Sequence, residues 1–180
     1  MPSSSWQNMA DITRLHRLGD DHISALAALL IDCVHGGASV GFMQPLPLQH
    51  AQAFWSRIAQ RVRSQEHAIL VAEDSQGIIG TVQLVLSQPD NQPHRADLIK
   101  MLVHRRARRQ GVGAALMQAA VTLAQGCGKT LLVLDTIQHS DAARLYGRLG
   151  WTLAGHVPDY ALMPQGGLRP TSIYYREVPA

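Results

Sequence analysis

Ala96-Asp97-Leu98-Ile99-Lys100-Met101-Leu102-Val103, followed a few residues later by Arg108-Arg109-Gln110-Gly111-Val112-Gly113-Ala114, is the stretch that decides the fold. The first half is an apolar strand, and the second opens a helix expected over Gly111 to Gln125. A helix N-terminus presents unpaired N–H groups and the positive end of the helix dipole, and glycines let that backbone come close to a phosphate. A pyrophosphate fits such a start. Arg108 and Arg109 either add charge to that contact or point into solvent, as charged runs commonly do. The glycine spacing differs from the G-x-G-x-x-G dinucleotide fingerprint, and no G-x-x-x-x-G-K-[ST] segment occurs in the chain.

Outward from this stretch the pattern keeps alternating. A strand over Thr130 to Asp135 and a helix over Ser140 to Leu149 follow, implying a right-handed crossover between parallel neighbours. Trp151 to Gly155 and Thr171 to Val178 read as two last strands, joined by a loop with Pro158, Pro164, Gly166, Gly167 and Pro170 that is long enough to cover a site. Upstream, Ile12 to Leu18 forms a first strand. Asp20-Asp21 caps a helix whose Ile23, Leu26, Ala27, Leu30 and Val34 share one face and which stops at Gly36-Gly37. Leu48 to Gln65 carries a second amphipathic helix, and His67 to Glu73 and Ile78 to Leu86 form a hairpin across Asp74-Ser75-Gln76-Gly77. The sum is an α/β (α+β) fold, one domain over residues 11–180 with a central mixed sheet of about six to seven strands and about four helices. Residues 1–10 read as a flexible tail.

Composition sets the outer bounds. With 180 residues, 46% hydrophobic and 16% charged, the chain has the make-up of a single globular domain with a sizeable core. It has no uninterrupted apolar run of the roughly 18 residues a spanning helix needs. Met1-Pro2-Ser3-Ser4-Ser5-Trp6 lacks the charged start and apolar core of a signal peptide, so the expected place is the cytoplasm, with no membrane partner. Cys33 and Cys127 sit in helical patterns without a C-x-x-C neighbour and read as reduced structural thiols. A net charge of +3 mildly favours anionic ligands, which a phosphorylated cofactor satisfies as well as a nucleic acid does. Arg105, Arg106, Arg108 and Arg109 lack the interleaved aromatic residues of a nucleic-acid strip, so no nucleic-acid partner is expected. None of the nine histidines stands in an H-E-x-x-H or comparable ligand pattern, and no metal is expected.

Arg108-x-x-Gly111-x-Gly113 after an apolar strand resembles the signature of the GNAT superfamily of N-acetyltransferases, and Ala142, Leu145, Tyr146, Leu149, Gly150 and Trp151 resemble its next helix–strand segment. The resemblance covers about Ile78 to Val178. Val34-His35-Gly36-Gly37-Ala38-Ser39-Val40-Gly41-Phe42-Met43 is further similar to a segment of a toxin-resistance acetyltransferase of that superfamily. The resemblance implies acetyl-CoA as cosubstrate. Backbone groups of Met101, Leu102 and Val103 would then bind its pantetheine arm, and Gln110, Gly111, Val112, Gly113 and Ala114 would cradle its pyrophosphate. It also places Tyr146 where the family's tyrosine faces the CoA sulfur, as general acid, although a half-buried tyrosine is commonly an ordinary aromatic with a bonded hydroxyl. One departure is His139, where many members carry Asn.

Acetyl transfer to an amine needs a neutral nucleophile, stabilisation of an oxyanion, and a proton for the departing thiolate. An alkylamine with a pKa near ~10 arrives protonated, so a base is required, and Asp97 and Asp135 are the candidates. Strand alternation puts Asp97 on the face of Ile99, Met101 and Val103, while Asp135 lies at the C-terminal end of the adjacent strand, where open α/β sheets gather ligands. Each could instead serve a salt bridge or a cap. The oxyanion is expected at a backbone N–H near Met101 to Val103, since no lone lysine stands out as a better electrophile. His35, Gly36 and Gly37 are candidate substrate contacts at a helix end, and Ala38 to Met43 and Tyr160 to Pro170 are candidate specificity loops. The expected partner is a small-molecule amine, the expected state a monomer or homodimer. Polyamine, aminoglycoside, amino-acid or protein-lysine acceptors remain open, as does a non-catalytic acyl-CoA sensor.

Overall fold

A computed structural model of the chain describes residues 10–179; the tail expected over residues 1–10 lies outside them except for Ala10. The elements run β1 (Asp11–Leu15), α1 (Asp20–His35), α2 (Leu48–Arg63), β2 (His67–Asp74), β3 (Gly77–Val85), β4 (Arg95–Val103), a 3-10 turn (Arg105–Ala107), α3 (Val112–Gly126), β5 (Leu131–Ile137), α4 (Asp141–Arg148), β6 (Thr152–Leu162) and β7 (Leu168–Glu177). The described strands form one seven-stranded sheet in the order β1-β2-β3-β4-β5-β7-β6. β4 and β5 pair in parallel, as the α3 crossover requires, and the other neighbours pair antiparallel.

The apolar stripes of the helices bury on opposite faces of this sheet. Val112, Leu116, Met117, Ala120 and Ala124 of α3 pack on Leu70, Val82, Leu84, Leu98 and Leu132. Leu26, Leu30 and Val34 of α1 meet Trp55, Ile58 and Val62 of α2 over Ile69, Val71 and Leu102. Each large side chain so buried contributes about 1.5–3 kcal/mol. Gly80 lets α3 lie this close: a Cβ there would stand 2.9 Å from Leu116 Cδ1 and 3.1 Å from the Leu102 carbonyl oxygen. The N-cap of α1 is Gly19, not the aspartates; Asp20 and Asp21 occupy its first turn, where carboxylates meet the positive dipole end. Among the described residues, no helix is long and apolar enough to cross a membrane.

Two further expectations about the strands need correction. The loop after Gly155 is instead strand: β6 continues through Pro158 to Leu162 and returns as β7 through Pro170. β6 is an edge strand with a register shift between Val157 and Ala161, and an edge with a bulge tolerates proline because no ladder donor is lost. The second correction concerns β4. Against β3, Leu102 pairs with Thr81 but Ile99 pairs with Gln83, so β4 carries one extra residue in between. Lys100 takes up the bulge at φ 51°. The inserted residue reverses the alternation: Ala96 and Leu98 join the α3 core, whereas Leu102 joins the α1–α2 core and Met101 and Val103 pack with α3. Asp97 and Ile99 therefore do not share a face with Met101 and Val103.

Candidate active site

β4 and β5 keep their register only from Arg95 to Asp97 against Leu131 to Val133, and then part. Beyond that point the β5-facing N–H and C=O groups of β4 have no strand partner, so an extended ligand bearing amides can pair with them. The split opens a cleft of about 1060 Å³. Met101, Leu102 and Val103 line it, as do Asp135, Thr136 and Ile137 of β5, Tyr146 of α4, the segment Gly36 to Gly41, and Tyr160, Ala161 and Met163 of the β6–β7 hairpin.

At one end lies the start of α3. Gly111 precedes it at φ 82°, a left-handed conformation that costs glycine little, and Gly111, Val112, Gly113 and Ala114 all border the cleft. Gly113 also lets α4 approach, since a Cβ there would stand 3.2 Å from Leu145 Cδ2. The unpaired N–H groups of this helix start make an anion site. Arg108 and Arg109 border it too, and Arg108 Nε donates to the Val103 carbonyl at 3.4 Å, folding the side chain across the end of β4. Gln110 does not line the cleft; its Nε2 donates to the Arg106 carbonyl at 3.0 Å and closes the turn. Arg105 and Arg106 are engaged by Asp32 and Asp74, which takes them out of the basic cluster weighed for nucleic acid.

The middle of the cleft holds the titratable groups. Tyr146 is 4% exposed, its ring 6.1 Å from those of both Trp151 and Tyr174. Burial, with the negative charge of Asp135 added, raises its hydroxyl well above the ordinary tyrosine value, so it stays protonated and able to donate. Asp135 is open to the cleft but walled by protein elsewhere. That partial desolvation raises its carboxyl above the usual range, Lys100 opposing the shift and Asp97 adding to it. Cys33 also lines the cleft; burial pushes its thiol up to about 11 with Arg108 opposing, so at neutral pH it is a protonated, apolar wall rather than an acyl acceptor.

Other candidates are placed elsewhere. Asp97 does not line the cleft: it is paired with Arg95, and Gln88 Nε2 donates to it at 3.2 Å. His35 is exposed outside the cleft, and its Nε2 accepts from the Leu46 N–H at 3.3 Å, so it pins the loop that carries Gly36 and Gly37 along the cleft wall. His139 stands before α4 at φ 61°, a conformation Asn and His tolerate better than most residues. Ser140 caps that helix through the Ala143 N–H at 3.0 Å. Sequence reasoning missed Lys100, which lines the cleft opposite Asp135. The available signal was one lysine within Leu98-Ile99-Lys100-Met101-Leu102, a run otherwise fit for burial.

Residues 25–151 match the acetyltransferase (GNAT) family. The chain belongs to the GNAT family. Its fold is shared with an N-acetyltransferase from Staphylococcus aureus Mu50, at 16% identity and TM-score 0.76 over 94% of this chain and 100% of that one. A Salmonella typhimurium protein solved with its cofactor acetyl-CoA gives 17% identity and TM-score 0.74 over 93% and 94%. A ribosomal-protein-alanine N-acetyltransferase from Brucella melitensis gives 18% and 0.77 over 93% and 99%. This GNAT chain is thus an acetyltransferase, of a family that uses acetyl-CoA. The residues present fit that cosubstrate: an unpaired β4 edge for the amides of its arm and a glycine-bordered helix start for its pyrophosphate. Among the described residues, no three His, Cys, Asp or Glu side chains are grouped to hold a metal ion.

Proposed function

We propose that this enzyme acetylates the primary amine of a small molecule by direct attack, with Tyr146 as general acid. The observation that carries the reading is the split between β4 and β5, with Tyr146 and Asp135 both bordering it and near enough for the carboxylate's charge to act on the hydroxyl. Acetyl-CoA supplies the thioester carbon that the amine attacks and the thiolate that leaves. Met101 to Val103 hold the arm through their backbone, and a backbone N–H of that stretch meets the oxyanion. Gly111 to Ala114 receive the pyrophosphate, with Arg108 and Arg109 adding charge. Asp135, partly desolvated, takes the amine's proton or holds the ammonium until water does. Asp97 acts at one remove, through its charge on Asp135. As the C–S bond breaks, the Tyr146 hydroxyl gives its proton to the sulfur, and the second proton shed by the attacking nitrogen, passed through water, restores it. A protonated Cys33 favours direct transfer over an acetyl-enzyme.

The acceptor we favour is a toxin or antibiotic amine. The segment Val34 to Met43 is similar to part of the tabtoxin resistance protein, and its Gly36 to Gly41 portion borders the cleft. The test is free-thiol release from acetyl-CoA by the purified protein across a panel of amines that includes tabtoxinine-β-lactam. Amine-dependent release supports the reading and ranks acceptors. Preference for a polyamine, an aminoglycoside or a protein lysine rejects the toxin assignment, and tight acetyl-CoA binding without release for any amine rejects the transfer itself.

A further inference from the structure

The chain's two lysines are placed in opposite ways, Lys129 buried and Lys100 half-buried at the cleft. Lys129 is 9% exposed, and its ammonium donates to the carbonyls of Leu86 and Pro93 at 2.8 and 2.8 Å. Lys100, among the described residues, donates no hydrogen bond and closes no ion pair. Its Nζ lies 6.0 Å from the centre of the Phe42 ring and 5.7 Å from that of Phe54, and a Cβ on Gly41 would stand 3.7 Å from it. The aromatic faces orient the ammonium without satisfying its donors. The backbone that presents it sits in the left-handed region at φ 51°, uncommon for a side chain of this kind and clustered in proteins at sites where function sets the geometry.

The surroundings say what the cation faces. Lys100 and Asp135 border the same cleft and sense each other's charge, but they do not meet in an ion pair. The other cations bordering the cleft, Arg108, Arg109, Arg144 and Arg148, come from the start of α3 and from α4. Phe42 and Phe54 belong instead with the α1–α2 core, so the ammonium stands on the side of the sheet away from α3. Of the two aspartates bordering the cleft, Asp141 is paired with Arg144, which leaves Asp135 as the carboxylate that shares this part of the cleft with Lys100 without an ion pair between them.

We propose that Lys100 selects the acceptor by binding a carboxylate carried on the same small molecule whose amine Asp135 receives. The substrate class is then a zwitterion of amino-acid type. This rests on the acetyl-transfer reading above and narrows it: polyamines and aminoglycosides carry only positive charge, which Lys100 repels. Burial lowers the ammonium's pKa, Asp135 opposing, and a carboxylate docked beside it favours the charged form again.

The experiment compares amino acids with their primary amides, each pair differing in the one group, on the wild-type enzyme and on Lys100→Met and Lys100→Arg. The expected result is a carboxylate preference in kcat/KM of about tenfold or more for the wild type, carried by KM, that collapses in Lys100→Met and is partly kept in Lys100→Arg. A ratio between two substrates on one preparation cancels any loss of folded protein. A ratio near one in the wild type, or one that Lys100→Met leaves intact, overturns the proposal; equal losses on acid and amide assign Lys100 to the chemistry or the fold instead. Calorimetric binding of the same pairs to CoA-saturated enzyme separates the two readings. Lys100-dependent carboxylate binding without turnover keeps the anchor and rejects the transfer, whereas turnover with acids and amides bound alike keeps the transfer and rejects the anchor. A panel in which neither acids nor amides bind rejects the anchor as well.

Discussion

Asp32 of α1 accepts two hydrogen bonds from Arg105, from its backbone N–H at 2.9 Å and from its Nε at 2.8 Å, and so ties the first helix to the end of β4 beside the cleft. Burial alone would raise the Asp32 carboxyl, but these bonds and the charges of His104 and Arg105 outweigh it and hold the group below the usual carboxylate range. A carboxylate whose pKa falls on folding stabilises the fold above its unfolded value, near ~3.9, and loses that contribution as pH drops through the lower folded value. Asp32→Asn is expected to lower the unfolding free energy by about 1–2 kcal/mol at neutral pH, Arg105 being partly in solvent. Urea melts at a series of pH values check this, and the gap to wild type should close below about pH 4. A gap independent of pH would assign the loss to packing.

Tyr146→Phe keeps the ring between Trp151 and Tyr174 and removes only the hydroxyl. The expected outcome is a fall in kcat of about 10²-fold or more with acetyl-CoA affinity nearly unchanged. Single-turnover rates alongside cofactor titrations make the measurement. Equal single-turnover rates in variant and wild type would take the tyrosine out of the chemistry.

Asp135 and Asp97 separate by position. Asp135 borders the cleft with its carboxyl raised by burial, so kcat/KM should decline on the acid side at a pH above that of an ordinary carboxylate. Asp135→Asn is expected to abolish that limb and lower kcat/KM by about 10²-fold, whereas Asp97→Asn, removing a charge that sits with Arg95, should shift the limb slightly to lower pH. pH profiles of both variants decide it. The opposite order of severity would make Asp97 the base.

Gly80→Ala brings a methyl to within 2.9 Å of Leu116 Cδ1, 3.2 Å of Val112 Cγ1 and 3.1 Å of the Leu102 carbonyl oxygen. Leucine can turn away, but the carbonyl belongs to the sheet. A destabilisation of about 1–3 kcal/mol is expected by chemical unfolding, together with weaker acetyl-CoA binding, because Val112 opens the helix that borders the cleft.

The β4–α3 segment could be read from sequence because its cause is local: a glycine in the left-handed region, followed by an apolar helix, on a run of strand formers. Tyr146 and Asp135 could be placed because helix and strand periods hold unbroken around them. Lys100 and the true face of Asp97 could not, since an extra residue in β4 is invisible to alternation and appears only in the pairing of Thr81 with Leu102 and Gln83 with Ile99. The β6–β7 hairpin was hidden for a different reason. Pro158 and Pro170 argue against strand in general, yet Pro158 lies on the edge strand β6 and Pro170 falls in β7 at the register shift against β6, before pairing with β5 begins at Thr171, and such positions are decided by the whole sheet.

The N–H of Gln44 donates to the carbonyl of Pro164 at 2.9 Å, joining the segment between α1 and α2 to the tip of the β6–β7 hairpin. An arch therefore joins two segments that border the cleft at Gly41 and Met163, with one foot in the first third of the chain and the other near its close. Neither foot fixes the opening alone. Transplanting one loop from a relative would leave the keystone without its seat, so changes of diet in this enzyme should arise as paired exchanges in two segments that are strangers in sequence.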